Sequence, residues 1–210
     1  FAIKLREEVA AVVKERRHHP CIVLWAGDNE VDQMLEHDPL PTPAKINRVN
    51  REVIPNELYR HDRARSYLAS SPYYSDEVAN SPKSDYATAP ENHIWGPRDY
   101  FKSRFYTENA AHFISETGYH GCPGRKSVEK FITKDKVWGY HDNEEWILHS
   151  ADQQGNPNRM MIMDKQIRQL FGEVPDNLDD FATASQYSQA EAKKFLLERM
   201  RAGKPTKSGI

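Results

Sequence analysis

Cysteine is nearly absent from this chain: two in 210 residues, too few for a disulfide scaffold or a cysteine-rich zinc site. Cys21 falls in an apolar run that reads as core, and Cys122, between glycine and proline, reads as a free loop thiol. Charge of one sign is lacking as well. Twenty-nine Lys and Arg stand against 31 Asp and Glu, for a formal net charge of −2, so no basic footprint for nucleic acid or an anionic membrane is present. No apolar run reaches bilayer-spanning length, and heptads, solenoid repeats and low-complexity tracts are missing. Nucleic-acid and membrane partners are therefore not expected. No Met opens the chain and no signal-peptide pattern follows Phe1. It reads as an excerpt or processed product, with any targeting segment outside it.

What is there is an alternation of helix and strand. Residues 1–17 carry Leu5, Val9, Val12 and Val13 at helical spacing, with a basic end (Lys14, Arg16, Arg17) and Pro20 as a stop. The apolar run 21–25 then reads as a strand covered on both faces. The rhythm repeats: a helix over 43–54, a strand over 64–68, and a short strand over 93–95. A helix over 100–111 and a strand over 113–116 come next, then helices over 127–132, 159–171 and 188–201. The tail "KPTKSGI" reads as a loop entering another strand. This is the pattern of a parallel α/β protein. Residues 71–92 and 133–158 are its long irregular segments, and such loops overlie the carboxyl ends of the strands.

Two strands end in a glutamate, Glu30 in "IVLWAGDNE" and Glu116 in "FISETG". Carboxyl ends of parallel strands face the active-site mouth, where two glutamates distant in sequence can meet. Such a pair is what glycoside hydrolysis needs, one group to protonate the leaving oxygen and one to attack the sugar carbon. Either glutamate alone reads first as a helix cap or salt-bridge partner. The spelling around them says more.

"RRHHPCIVLWAGDNE" resembles the acid/base segment of glycoside hydrolase family 2, and "FISETGYHGCPG" resembles the nucleophile segment of its β-mannosidase-like branch. "HIWGP" looks like that branch's sixth-strand motif, and "YSQAEAKKFLLERMRAGKPTKSGI" like its last helix and the approach to strand eight. The resemblance implies a (β/α)8 TIM barrel. This chain would run from the helix before strand four to the start of strand eight, so residues 1–210 would be part of one catalytic domain. Flanking β-sandwich domains would lie outside it, and half a barrel, with open edges, is not expected to be stable alone.

The resemblance further implies a retaining exo-β-glycosidase, with Glu30 as general acid/base, Glu116 as nucleophile and Asn29 on the sugar 2-hydroxyl. Its substrate would be a terminal β-linked sugar on an oligosaccharide or glycoconjugate, and its setting secreted, periplasmic or lysosomal. No cofactor or metal is called for. Glu30 must hold a proton, and a negative Glu116 nearby favours that. Where the branch reads Gly-Asn-Asn-Glu, this chain has Asp28, and Thr117 and His120 also depart from the pattern.

Trp95 reads either as a platform for a sugar ring or as a core tryptophan, and Trp25 as core. By resemblance His93 lines the pocket, although a lone loop histidine also reads as structural or exposed. By position alone, after the expected fifth strand, Tyr73 or Tyr74 borders the leaving-group side. The nine histidines show no HExxH-type spacing, so no metal site is expected. "DNEEW" reads as solvated surface, and Ser115 lacks a nucleophile-elbow pattern. The alternatives are a catalytically silent carbohydrate-binding barrel, action on another β-glycoside (galactoside, glucuronide or glucosaminide), and an interaction domain without a sugar site.

Overall fold

The computed structural model describes residues 1–37, 47–81, 87–98, 100–150 and 159–210, which fall into two compact units. Residues 43–46 of the expected helix over 43–54, and parts of both long irregular segments (82–86 and 151–158), lie outside the described residues.

The first unit comprises Phe1–His93, Ala110–Glu116 and Gly209. It opens with helix α1 (Ala2–Arg16), strand β1 (Leu24–Ala26) and helix α2 (Val31–His37). A π-helical turn (Val49–Val53) leads into α3 (Ile54–His61), followed by β2 (Ser66–Leu68), α4 (Asp76–Asn80) and β3 (Asn92–Ile94). Strand β4 is Ile114–Thr117 and pairs with β3. Ile94 and Thr117, the last residues of these strands, are counted with the second unit.

β1 and β2 are parallel, with Leu24 opposite Ser66, Trp25 opposite Tyr67 and Ala26 opposite Leu68. A parallel pair needs a helical crossover, which α2, the π turn and α3 supply. Val13 of α1 meets Ile54 and Leu58 of α3, with Leu5, Val9, Trp25 and Tyr67 packed around them. The expected face of α1 is thus the buried one except for Val12, which is 39% exposed. Near the chain end Gly209 bridges Phe113 in parallel, the extended segment the tail pattern calls for.

The second unit comprises Ile94–Asn109, Thr117–Ser208 and Ile210. It holds α5 (Arg104–Thr107), α6 (Arg125–Val128), a 3₁₀ turn (Lys134–Lys136), α7 (Glu144–Ser150), α8 (Met160–Phe171) and α9 (Leu178–Ala202). Its core gathers Cys122, Val128, Ile132, Tyr140, Trp146, Met163, Ile167 and Phe181. α9 starts ten residues before the pattern suggests. The Asn177 side chain accepts from the Asp180 N–H, and Asp179 and Asp180 occupy the positive end of the helix. α5 is shorter than expected because the backbone after it turns to other partners. Arg199 donates to the Thr107 carbonyl and Lys207 to that of Asn109.

Three expectations are corrected. The run 21–25 is not a strand covered on both faces: Val23 is 71% exposed, and the ladder begins at Leu24. Residues 19–22 form a turn, and the Arg65 guanidinium takes the carbonyls of Ile22 (2.6 Å) and His19 (3.1 Å) that a strand would use. The cysteines exchange places. Cys21 is exposed, while Cys122 is buried in the second core, where burial pushes its thiol up to about 12. "DNEEW" is not all surface, since Trp146 is buried. Its neighbour Glu145 accepts from the Thr133 N–H and pairs with Lys136, which holds its carboxyl below the usual range.

Among the described residues no helix is long and apolar enough to cross a membrane.

Candidate active site

The paired strands of the first unit continue past their ladder. The Gly27 N–H donates to the Leu68 carbonyl, Asn29 bridges Ser71, and the Glu30 N–H donates to the Ser71 carbonyl at 2.7 Å. Only glycine permits this approach at 27, where a Cβ would stand 2.3 Å from the Tyr67 hydroxyl and 2.4 Å from the Ala69 carbonyl oxygen. Ser71 precedes a cis proline, Pro72. At the end of this segment Glu30 adopts φ 62°, a left-handed backbone that costs a residue with a Cβ about 1–2 kcal/mol. Strain of this kind, held by surrounding hydrogen bonds, is a feature of functional positions.

Glu30 and Glu116, distant in sequence, come together around His93. His93 Nδ1 lies 2.8 Å from Glu30 Oε1 and 3.6 Å from Glu116 Oε2. One carboxylate oxygen of each glutamate and a ring nitrogen of His93 all fall within 4.8 Å of one another. The imidazole is buried, its side chain 3% exposed, whereas each glutamate side chain is 34% exposed. Two partly exposed carboxyl groups thus meet at the same nitrogen, Nδ1, of one buried imidazole. Such a pair can hold a proton on one member and a full charge on the other. Retaining glycosidases place their carboxyl groups about 5–5.5 Å apart.

The same three atoms are near enough to enclose a cation, but the shortest contact is a hydrogen bond. Ligands about 2.0–2.1 Å from a shared tetrahedral ion stand about 3.4 Å apart, wider than the 2.8 Å between His93 and Glu30.

Behind His93 lies a carboxylate that sequence reading does not single out. Glu91 is 3% exposed. It accepts from the Tyr73 N–H at 3.1 Å, the Ser71 hydroxyl at 3.1 Å and the Ser115 hydroxyl. Ser71 Oγ is also 3.0 Å from His93 Nε2. The only local signal for these residues is position: Ser71 follows β2, and Glu91 immediately precedes β3.

Asp28 turns away from the pair. Its carboxylate accepts from Asn47 Nδ2 (3.1 Å), Asn50 Nδ2, the Ser70 hydroxyl and the Val31 N–H (3.3 Å), the last capping the start of α2. The π turn carries the buried Asn50, whose carbonyl accepts from the Tyr67 hydroxyl. Burial and the charge of Asp28 hold that phenol above its usual range. Next to this network Asp32, 0% exposed, takes both ends of the Arg51 guanidinium (2.9 and 2.6 Å) and the Tyr74 N–H (3.2 Å). Tyr73 and Tyr74 therefore enter both networks through their backbone.

The other expected site residues stand as follows. Asn29 is exposed beside Glu30. Trp25 is half-buried, its indole N–H donating to Asp62 at 3.0 Å. Trp95 belongs to the second unit and is half-buried. Gly118 lets its ring approach, since a Cβ there would stand 2.3 Å from the indole, and the Arg98 guanidinium sits 4.7 Å from the ring centroid. The Thr117 hydroxyl donates to the Ile94 carbonyl at 2.8 Å, tying β4 to β3.

No family model matches the chain. Among curated proteins it is 26% identical to the β-mannosidase of Rattus norvegicus, over 80% of this chain and 20% of that protein. With the β-mannosidase of Bos taurus the identity is 25%, over 96% of this chain and 24% of the other. The crystal structure of β-D-mannosidase from Dictyoglomus thermophilum matches the whole chain at TM-score 0.74 and 27% identity, over 25% of its own length. The chain thus spans a fifth to a quarter of these relatives. Along nearly its whole length it is similar to one segment of the β-mannosidases, as its motifs indicate.

Proposed function

We propose that the full-length protein is a retaining exo-β-glycosidase of the β-mannosidase type. Residues 1–210 would then be part of one catalytic (β/α)8 barrel domain, from the helix before strand four to the start of strand eight. The observation that carries this reading is the meeting of Glu30 and Glu116, within 4.8 Å, in a chain similar to β-mannosidases.

In the first step Glu116 attacks the anomeric carbon while Glu30 gives its proton to the leaving oxygen. The glycosyl–Glu116 ester that forms leaves Glu30 ionised. Glu30 then takes a proton from water, which attacks the ester, and the retained sugar departs with both carboxyl groups restored. Asn29, exposed beside Glu30, is the partner for the 2-hydroxyl, and His93 backs the pair. The substrate is a terminal β-linked sugar, a mannoside first, on an oligosaccharide or glycoconjugate. No step calls for a metal or an organic cofactor.

The test is Glu116→Ala in the full-length protein, together with a 2-deoxy-2-fluoro-β-mannosyl probe. The wild type is expected to be labelled at Glu116, and the variant to lose on the order of 10⁴–10⁶ in turnover of aryl β-mannosides. Wild-type turnover in the variant would remove Glu116 from the mechanism. Reversible sugar binding without labelling would make the protein a silent carbohydrate binder.

A further inference from the structure

We infer that Glu91 and Ser71 form a positioning relay that fixes the proton of His93 on Nε2 and so turns a bare Nδ1 toward the acid/base glutamate. This deepens the proposed function and rests on it for its kinetic consequence, though not for its structural one.

Glu91 is the fixed end of the relay. Its carboxylate accepts from a backbone N–H and from two hydroxyls, those of Ser71 and Ser115, and an ionised carboxylate can only accept. A serine hydroxyl has one hydrogen to give, and Ser71 Oγ lies 3.1 Å from Glu91, 3.0 Å from His93 Nε2 and 3.5 Å from Ser115 Oγ. We assign the hydrogen to the carboxylate, the strongest acceptor of the three. Toward His93 Nε2, at 3.0 Å, Ser71 Oγ then offers only a lone pair. The proton of that contact must come from the ring, which fixes the imidazole as the Nε2–H form.

The consequence appears on the other side of the ring. With Nε2 protonated, a neutral imidazole presents a lone pair at Nδ1, and Glu30 Oε1 stands 2.8 Å away. Two lone pairs at that distance repel, so the contact holds a proton. Whether that proton is drawn on Glu30 or on His93, the charge of the trio is the same: Glu30–H with neutral His93 and ionised Glu116, or imidazolium between two carboxylates. The acid proton of Glu30 is therefore one shared with His93, and the relay keeps it there. Without the relay the ring can take the other neutral form, with hydrogen on Nδ1. That form donates to Glu30 Oε1 and no longer holds the acid proton in the contact with the ring.

The titratable groups around the ring are Glu30 and Glu116 at Nδ1 and Glu91 behind Ser71. Asp28 faces Asn47, Asn50 and Ser70, and Asp32 faces Arg51. Glu91 and Ser71 are positioning residues, acting through His93.

The test has two arms on the full-length protein. Neutron diffraction of the wild type should show deuterium on His93 Nε2 and the Ser71 deuteron aimed at Glu91. A bare Nε2 with deuterium on Nδ1 alone would overturn the relay, whatever the protein's activity. In the second arm, Ser71→Ala and Glu91→Gln are compared with wild type on a phenyl and a dinitrophenyl β-mannoside. The expected result is a loss of about tenfold or more on the phenyl substrate, with the alkaline limb of kcat/KM moved to lower pH. The dinitrophenyl substrate, whose leaving group needs no acid, should be nearly spared. Equal losses on both substrates with an unmoved limb would reduce Glu91 and Ser71 to packing and sink the inference. Failure of the wild type to turn over or be labelled by any β-glycoside would count against the proposed function instead, and the diffraction result would still decide the relay.

Discussion

Asp28 and Glu30 are two residues apart, yet their carboxylates live in opposite surroundings. Asp28 is met by donors alone, two asparagine amides, a serine hydroxyl and a backbone N–H, and Asp32 behind it takes a whole guanidinium. Glu30 meets an imidazole that also reaches Glu116. A carboxylate ringed by donors is fixed in place and holds structure. One that meets an imidazole and a second carboxyl group has partners for the chemistry proposed above. The difference separates scaffold from site more sharply than exposure or sequence position does.

The comparison can be strained from both sides. On the site side, Glu30→Ala in the full-length protein should cost about 10²–10⁴ in turnover of a substrate with a poor leaving group, roughly 3–5 kcal/mol of barrier. Added azide should restore the second step as a glycosyl azide product. A uniform loss without azide rescue would move Glu30 to the scaffold side.

On the scaffold side, Asp32→Ala should lower unfolding stability by about 3–5 kcal/mol, because the Arg51 charge loses its buried partner. Urea unfolding measures this, and a loss below about 1 kcal/mol would mean that the pair is solvated. Asp28→Asn should cost about 1–3 kcal/mol, since its amide would face the amides of Asn47 and Asn50. An unchanged urea midpoint would show that the network rearranges.

The smallest effect is expected at Asp62, a third donor-saturated carboxylate. The Trp25 indole N–H and then Arg65 hold it below the usual carboxylate range. Its folded form therefore prefers the anion. The stabilisation is present above the ordinary aspartate range and is lost as pH falls through the folded-state value. Trp25→Phe should flatten the decline in stability between neutral pH and pH 3. An unaltered slope would assign that decline to other groups.

What could be read from the sequence was what is written locally. The α1 face from Leu5 to Val13 apart from Val12, short strands within 24–26 and 114–117 near the two glutamates, and the extended tail at Gly209 follow from period and spelling. The inverse assignment of Cys21 and Cys122 shows the limit. An apolar run gives no sign that Arg65, more than forty residues on, will take its carbonyls and make it a turn. Trp146 was hidden among charges that solvate one face of α7 while the indole fills the core. The relay through Ser71 and Glu91 was out of reach for another reason. It joins the ends of three strands, and no spacing in one chain records which strand ends will meet.

The left-handed backbone at Glu30 carries a last consequence, for stability as well as chemistry. Glycine would occupy φ 62° without steric cost, so a fold selected for stability alone has a reason to discard the glutamate. On the proposed function it is the carboxyl group that calls for a side chain here, so Glu30→Gly should trade activity for stability.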